Sequence, residues 1–277
     1  MTKRILIAGC GKIGSAVAAE LVCLGYHVNG LKRTTQPAAH GIKYLQGDLT
    51  QPQSLAGLPT DFDLVLVIVT PSDYSEAGYR AIYVEGVGHL LAHFARDNAK
   101  VKIIYVSSTR VYGQQQGEWV DENSVTEPAD ARGCILLEAE QQVLAFGKSN
   151  TVARFSGIYG PDSQFMQRLA VQDSPVQFDP PCFTNRVHRE DCVASLVFLA
   201  DKALTGEALS SHYLVTDDEP APKWEVVNWL AERAGLASPE KEMCDASMGQ
   251  GKRCSNQRIR EAGYSFKYRN YREGYGE

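Results

Sequence analysis

The sequence predicts an α/β fold, a doubly wound parallel sheet followed by a small C-terminal lobe, and three features carry that prediction. First, the apolar run at 5–8 breaks into Gly9-Cys10-Gly11-Lys12-Ile13-Gly14, and a helical pattern follows over 15–24. Second, Asp63-Leu64-Val65-Leu66-Val67-Ile68-Val69 is almost continuously apolar, as a strand buried on both faces of a parallel sheet should be. Third, strand-like and helix-like segments alternate through the first part of the chain. Strand, glycine-rich turn and helix in that order begin a Rossmann-type sheet.

In the first turn each glycine has its own task. Gly9 permits the turn, Gly11 has no side chain to hold off a pyrophosphate, and Gly14 lets the helix pack close to the strand. Backbone N–H groups of the loop, including those of Cys10, Lys12 and Ile13, then face the phosphates at the positive end of the helix dipole. All six residues are candidate cofactor contacts.

The second strand is expected at 26–31. An NAD-preferring fold places an acid at its end, to bind the ribose hydroxyls. Here the chain has Lys32-Arg33-Thr34. Two cations and a hydroxyl suit a 2′-phosphate and point to NADP before NAD; a solvated basic turn is the plainer alternative. A third strand at 42–46 leads into Gly47-Asp48-Leu49-Thr50. Asp48 either accepts from the adenine amino group, with Leu49 beside it, or caps the turn. The buried strand at 63–69 ends in Val69-Thr70-Pro71, and in open α/β sheets ligands lie at such carboxyl ends.

A long helical pattern follows, with Tyr79, Ile82, Tyr83, Val87, Leu90, Leu91 and Phe94 three and four residues apart. His89 and His93 fall one turn apart, but no acid or cysteine is placed to complete a zinc site, and a partly exposed face is expected. The next strand, 101–106, runs into Ser107-Ser108-Thr109-Arg110-Val111-Tyr112-Gly113. Ser107 is expected at the cofactor, and Thr109 and Tyr112 at a substrate, because hydroxyls at this strand end face the ligand side.

Composition narrows the classes. The 277 residues suit one large α/β domain or a domain with a small lobe, and the net charge of −5 argues against nucleic acid as partner. No apolar run approaches a membrane span, and the N-terminus enters a strand without a signal-peptide pattern. Seven scattered cysteines without C-x-x-C suit free thiols in the cytoplasm.

With these motifs in hand, the sequence resembles the extended short-chain dehydrogenase/reductases, the NAD(P)-dependent sugar epimerases and dehydratases. The residues that carry the resemblance are the loop 9–14, Gly47-Asp48-Leu49, Val106-Ser107-Ser108-Thr109-Arg110-Val111-Tyr112-Gly113, Ala153-Arg154-Phe155-Ser156-Gly157-Ile158-Tyr159-Gly160-Pro161 and Arg186-Val187-His188-Arg189-Glu190-Asp191. The tail, Ser255-Asn256-Gln257-Arg258 and Tyr271-Arg272-Glu273-Gly274-Tyr275, is similar to the atypical bacterial branch. The first glycine gap is one residue shorter than the family's usual spacing, which still matches the wider dinucleotide fingerprint.

The resemblance implies oxidoreductase or isomerase chemistry on a small carbonyl, hydroxyl or nucleotide-sugar substrate, begun by nicotinamide hydride transfer. It makes Ser108 the catalytic serine and sets Arg186 and His188 near the substrate. It also exposes a departure. The family carries Tyr-x-x-x-Lys on the next helix, a proton shuttle and its cationic partner. Here Arg132 stands at the tyrosine and Leu136 at the lysine, and none of the thirteen tyrosines has a lysine four residues on. Leucine cannot titrate and arginine stays protonated. Arg132 either grips an anionic substrate group or is a surface arginine. Water, the substrate or Glu138 would have to replace the base. A non-catalytic NADP(H)-binding sensor is the alternative.

The strand at 150–155 should bring Phe155 and Gly157 to the nicotinamide side. The reading assigns 1–160 to the NAD(P)-binding domain, with core segments returning within 187–216, and 161–277 to a smaller, discontinuous substrate-side lobe. Asp191 is expected to cap a helix at 192–199. A late strand is expected at 211–215 and an amphipathic helix at 223–234. Lys252, Arg253 and Arg258 form a basic cluster, solvated or facing a phosphate. The resemblance implies that the helices at 79–94 and 136–146 pair across a homodimer; their periodicity fits a core face equally. No metal site is expected.

Overall fold

The structure, a computed structural model, describes residues 2–276 apart from 35–36, 97–99, 161–164, 173 and 246, with the backbone alone at Phe165. Pro161 of the glycine-proline turn therefore lies outside the described residues. The chain opens with β1 (Arg4–Ala8), α1 (Lys12–Cys23), β2 (His27–Lys32), β3 (Lys43–Gln46) and β4 (Leu64–Val67). It continues with α2 (Glu76–Tyr79), a π-helical stretch (Arg80–Gly86), α3 (Val87–Ala95), β5 (Lys102–Ser108), β6 (Gln116–Val120) and α4 (Ala131–Phe146). Next come β7 (Thr151–Phe155), β8 (Gly157–Tyr159), α5 (Phe165–Val171), β9 (Val176–Asp179), β10 (Phe183–Thr184) and β11 (Arg186–His188). The last elements are α6 (Arg189–Thr205), β12 (His212–Val215), β13 (Ala221–Pro222), α7 (Lys223–Arg233), β14 (Lys241–Met243), β15 (Gly251–Cys254), α8 (Gln257–Glu261) and α9 (Tyr271–Gly274).

A seven-stranded sheet runs in the order β12-β7-β5-β4-β1-β2-β3. β1 pairs in parallel with β2 and β4, β2 with β3, and β4 with β5. This is the expected doubly wound α/β sheet, and its strand order reverses between β1 and β4. The reversal opens a crevice at the carboxyl ends of those two strands. Their sequences explain why they are central: all four residues of β4 are buried, as are the last four of β1. On one face Leu6, Ala8, Val65, Val67, Ile103 and Tyr105 pack with Val87, Leu90, Leu91 and Phe94 of α3 and with Ala139 and Val143 of α4. The strand residues alternate and the α3 residues are three and four apart, so each element turns one apolar face inward. Each such leucine or phenylalanine contributes about 1.5–3 kcal/mol by leaving water.

The chain divides into two units, 1–111 with 128–154 and 193–213, and 112–127 with 155–192 and 214–277. The sequence-based boundary at 160 is thus drawn differently, since 112–127 and 155–160 group with the second unit. That unit has a four-stranded sheet, order β13-β10-β15-β6, and its own core of Met166, Val176, Ala221, Val226, Val227, Leu230 and Tyr271. Among the described residues no helix is long and apolar enough to cross a membrane, and no cluster of three or more His, Cys, Asp or Glu could hold a metal ion.

Three local expectations are corrected. α6 begins at Arg189, so Asp191 lies inside its first turn and does not cap it. Its carboxylate instead accepts from Tyr264 Oη and Lys267 N, both at 2.8 Å, and from Tyr268 N at 2.9 Å, which pins the C-terminal tail. The basic cluster is not a solvated patch. Lys252 donates to Tyr112 O at 2.7 Å, Arg253 to Gly117 O at 2.6 Å, and Arg258 to Asn123 Oδ1 at 2.7 Å. His93 is buried rather than part of an exposed face. Its Nε2 bonds Leu58 O at 2.8 Å, and His89 Nδ1 bonds Leu49 O at 2.8 Å, so each ring ties its helix to a loop.

Candidate functional site

The loop after β1 enters the crevice at the strand reversal. Gly9 has a φ of +95°, and a Cβ there would stand 2.1 Å from Ile68 O. Only glycine fits, because both the conformation and the neighbouring backbone forbid a side chain. Ile68 N donates to Ala8 O at 2.8 Å, so Val69, Thr70 and Pro71 leave the sheet beside the loop. Gly14 is equally constrained, since its Cβ would lie 2.4 Å from Gly9 O.

Gly11 differs from both. A Cβ on Gly11 would meet nothing within 4 Å. It is the N-cap of α1, has no capping side chain, and is followed by no acid in the first turn. Ser15, one turn on, bonds the loop through Cys10 O at 3.0 Å. The start of α1 is therefore a held backbone with open space at Gly11 and amide donors at Lys12 and Ile13. An anion is the complement of such a helix start, and the residues present fit the phosphates of a dinucleotide.

The ends of β2 and β3 flank this loop in the sheet. Lys32 places its ammonium 4.7 Å from the Tyr44 ring centroid, and Arg33 is exposed. Asp48 Oδ1 accepts from Thr50 N at 2.9 Å and Thr50 Oγ1 at 2.8 Å. Of the two readings open for Asp48, the turn cap is the one seen in these bonds. Leu49 beside it is buried.

At the end of β5, Ser107 and Thr109 are buried and Ser108 is half-buried. Ser107 Oγ has no hydrogen-bond partner among the described residues, whereas Ser108 Oγ accepts from Arg110 N at 3.2 Å. Arg110 grips Asp130 with Nε at 3.0 Å and Nη2 at 2.6 Å. Asp130 is also the N-cap of α4, accepting from Gly133 N at 2.8 Å. The Arg110 guanidinium beside it holds the Asp130 carboxyl below the usual carboxylate range. A Cβ on Gly133 would stand 2.9 Å from Arg110 O, so the first turn of α4 rests directly on the backbone that follows Ser108.

That turn carries Arg132, whose Cζ lies 5.3 Å from the centroid of the Tyr79 ring. Tyr79 packs in turn against Tyr83, with ring centroids 5.3 Å apart. Leu136 is buried, consistent with a position that has lost a polar role. Glu138, the candidate replacement base, is held by Arg80 in a two-point pair at 3.1 and 3.0 Å. Tyr79, Arg110 and Asp130 were not singled out in the sequence. Asp130 had a signal, an acid just before a helical run, whereas Tyr79 was hidden in the apolar periodicity of its helix.

In the second unit, Tyr112, Phe155, Arg186 and His188 are all buried and Gly157 is exposed. Gly157 pairs with Arg186 in the two-stranded β8–β11 ladder. Arg186 bonds Thr184 Oγ1 through Nη2 and lies 5.2 Å from the Tyr271 ring centroid. Its Nε and Nη1 and the Oδ2 of buried Asp217 have no hydrogen-bond partner. Burial pushes the Asp217 carboxyl up, against the pull of the Arg186 charge. The His188 ring packs between Tyr268, tilted with centroids 3.9 Å apart, and Tyr159, edge-on at 5.2 Å. The candidates thus form three local groups: the loop 9–14 with the ends of β2 to β4, the β5 end with Arg132, and the Arg186–His188 strand.

Comparison with known proteins follows the same lines. Residues 5–172 match the NAD dependent epimerase/dehydratase family. Protein YeeZ of Escherichia coli strain K12 is 28% identical over 282 residues, 96% of each chain. A Methylobacillus flagellatus structure, assigned provisionally as an NAD-dependent epimerase/dehydratase, is 34% identical, covers 100% of this chain and 97% of its own, and superposes with a TM-score of 0.82. MoeE5, solved with UDP-glucuronic acid and NAD, shares the fold at 22% identity, with 99% of this chain and 96% of its own covered and a TM-score of 0.76. The motifs, the sheet order and a family match over more than half of the sequence agree, and the chain belongs to the NAD-dependent epimerase/dehydratase family.

Proposed function

We propose that this protein binds NADP(H), and NAD(H) more weakly, on the loop 9–14 and transfers hydride to or from a small carbonyl, hydroxyl or nucleotide-sugar substrate. The single observation that carries the reading is the open, uncapped helix start at Gly11, set in the crevice where the strand order reverses. In that site Gly11 admits the phosphates, and the amides of the first turn of α1 bind them. Lys32 and Arg33 take the 2′-phosphate. When bound, the nicotinamide supplies or accepts the hydride. Ser108 orients the substrate oxygen by hydrogen bonding. Val69, Thr70, Pro71 and Ser107 contact the cofactor from neighbouring strand ends.

A second reading has its own observation. Leu136 cannot hold a proton, and Glu138 is engaged by Arg80. A chain that binds the cofactor and transfers nothing would be a dinucleotide sensor. Calorimetric titration with NADPH and NADH, followed by a nicotinamide absorbance screen against nucleotide sugars and small carbonyls, separates the two. Turnover supports the oxidoreductase, and binding without turnover supports the sensor. In the Lys32→Ala, Arg33→Ala double variant, NADPH affinity should fall about tenfold or more while NADH affinity barely changes, since charged hydrogen bonds contribute about 1.5–3 kcal/mol. Equal losses for both would remove the NADP preference.

A further inference from the structure

We propose that Arg132, whose guanidinium carbon lies 5.3 Å from the centroid of the Tyr79 ring, binds an anionic group of the substrate, a carboxylate or a phosphate. The inference rests on the reading that substrate reacts at the end of β5, and it names what that substrate must carry.

Of Arg80, Arg110 and Arg132, which lie on α4 or bond it, two are spent. Arg80 is paired with Glu138 and Arg110 with Asp130, each in two-point geometry. The Arg132 guanidinium makes no hydrogen bond or ion pair with any described residue; it lies against the Tyr79 ring, with Cζ 5.3 Å from the centroid. Asp73, whose charge Arg132 stabilises at longer range, keeps its own oxygens on Ser75 N at 3.0 Å and Ser75 Oγ at 2.5 Å. The guanidinium fork is therefore left open.

Its position runs against helix electrostatics. Arg132 is the second residue of α4, where a cation opposes the dipole, and the first turn holds no acid to compensate. Asp130, which caps the helix, is turned to Arg110. A cation placed there gains if it meets an anion, whose charge offsets the unfavourable meeting of guanidinium and dipole. The Tyr79 ring beside the guanidinium favours the cation there and limits where the side chain lies, which reduces the ordering cost of binding. This helix start rests on the backbone of Arg110, just past the end of β5, where the buried hydroxyl of Ser107 has no partner among the described residues. Arg186 in the second unit is no substitute, since it is only 3% exposed.

The test follows the Nε–Hε signal of Arg132 by ¹⁵N NMR, assigned by its loss in Arg132→Met. Oxalate and inorganic phosphate are titrated separately, into protein alone and into protein saturated with NADP⁺. The expected result is a saturable shift of the Arg132 signal by one of the two anions, with or without nucleotide. Oxalate would identify a carboxylate and phosphate a phosphoryl group. Anion affinity, read by calorimetry on the NADP⁺-saturated protein, should fall about tenfold in Arg132→Met, as for loss of a two-point charged contact, and recover in part in Arg132→Lys. Tyr79→Ala should weaken it severalfold and Tyr79→Phe leave it intact. No saturable shift with either anion overturns the proposal. So does a shift by NADP⁺ that blocks both anions, because Arg132 would then serve the cofactor. Failure of NADP⁺ to bind at all would sink the proposed function but not the anion site, which the nucleotide-free titrations judge independently.

Discussion

Two helices of the first unit begin at the carboxyl ends of central strands or just beyond, and their starts are built in opposite ways. α1 opens on Gly11, with no capping side chain and no acid or bulk in its path. α4 opens on Asp130, whose carboxylate caps Gly133 N and is locked by Arg110. The first start is electrostatically open and made of backbone. The second is closed by a side chain, and any attraction for an anion there comes from Arg132. Dinucleotide recognition can thus be inherited with the fold, because it needs only the absence of side chains. Substrate recognition depends on individual side chains, and α4 carries Arg132 and Leu136, neither of which shuttles a proton.

The largest expected effect tests whether the α1 start is as constrained as its geometry implies. Gly9→Ala forces a Cβ to 2.1 Å from Ile68 O at a φ of +95°. The strained conformation alone costs about 1–3 kcal/mol, and the clash adds to it. Urea unfolding should show a loss above that range or no folded protein. A near-neutral result would mean the loop is looser than described.

A smaller effect is expected at the α4 start. Asp130→Ala removes a cap and should cost about 1–2 kcal/mol, whereas Asp130→Asn keeps the cap and should cost less. The sign with pH follows from the depressed Asp130 carboxyl. Its contribution is present above the unfolded carboxylate value, near 3.8, and is lost as pH falls through the lower folded value. The stability gap between wild type and Asp130→Asn should therefore close below about pH 4. A gap that stayed constant down to pH 2 would show that the Arg110 pair adds nothing.

What could be read in advance divides along the same line. The strands at 5–8 and 63–69 were legible because nearly unbroken apolar runs have few places to go but a two-sided sheet. The glycine loop was legible because its function is carried by backbone at fixed spacing. The π-helical stretch Arg80–Gly86 was not, since its apolar spacing is the same as that of an ordinary helix. Asp191 was misplaced because its partners, Tyr264, Lys267 and Tyr268, lie more than seventy residues on. Lys252, Arg253 and Arg258 looked solvated for the same reason: a carbonyl acceptor distant in sequence leaves no local trace. The Arg132–Tyr79 stack joins residues from two separate helices, and neither residue's surroundings in the sequence announce the other.

The most direct single measurement is calorimetric titration of NADPH into wild type and Gly11→Asp, with thermal melting of both. Gly11 has empty space where its side chain would point, so the variant should melt within a few degrees of wild type, as a surface substitution of about 0.5 kcal/mol would. Wild type should bind NADPH tightly, and the variant should lose that binding, because the new carboxylate occupies the phosphate position with the same charge. A folded Gly11→Asp protein that still binds NADPH with wild-type affinity would place the phosphates elsewhere and contradict the role assigned to the α1 start.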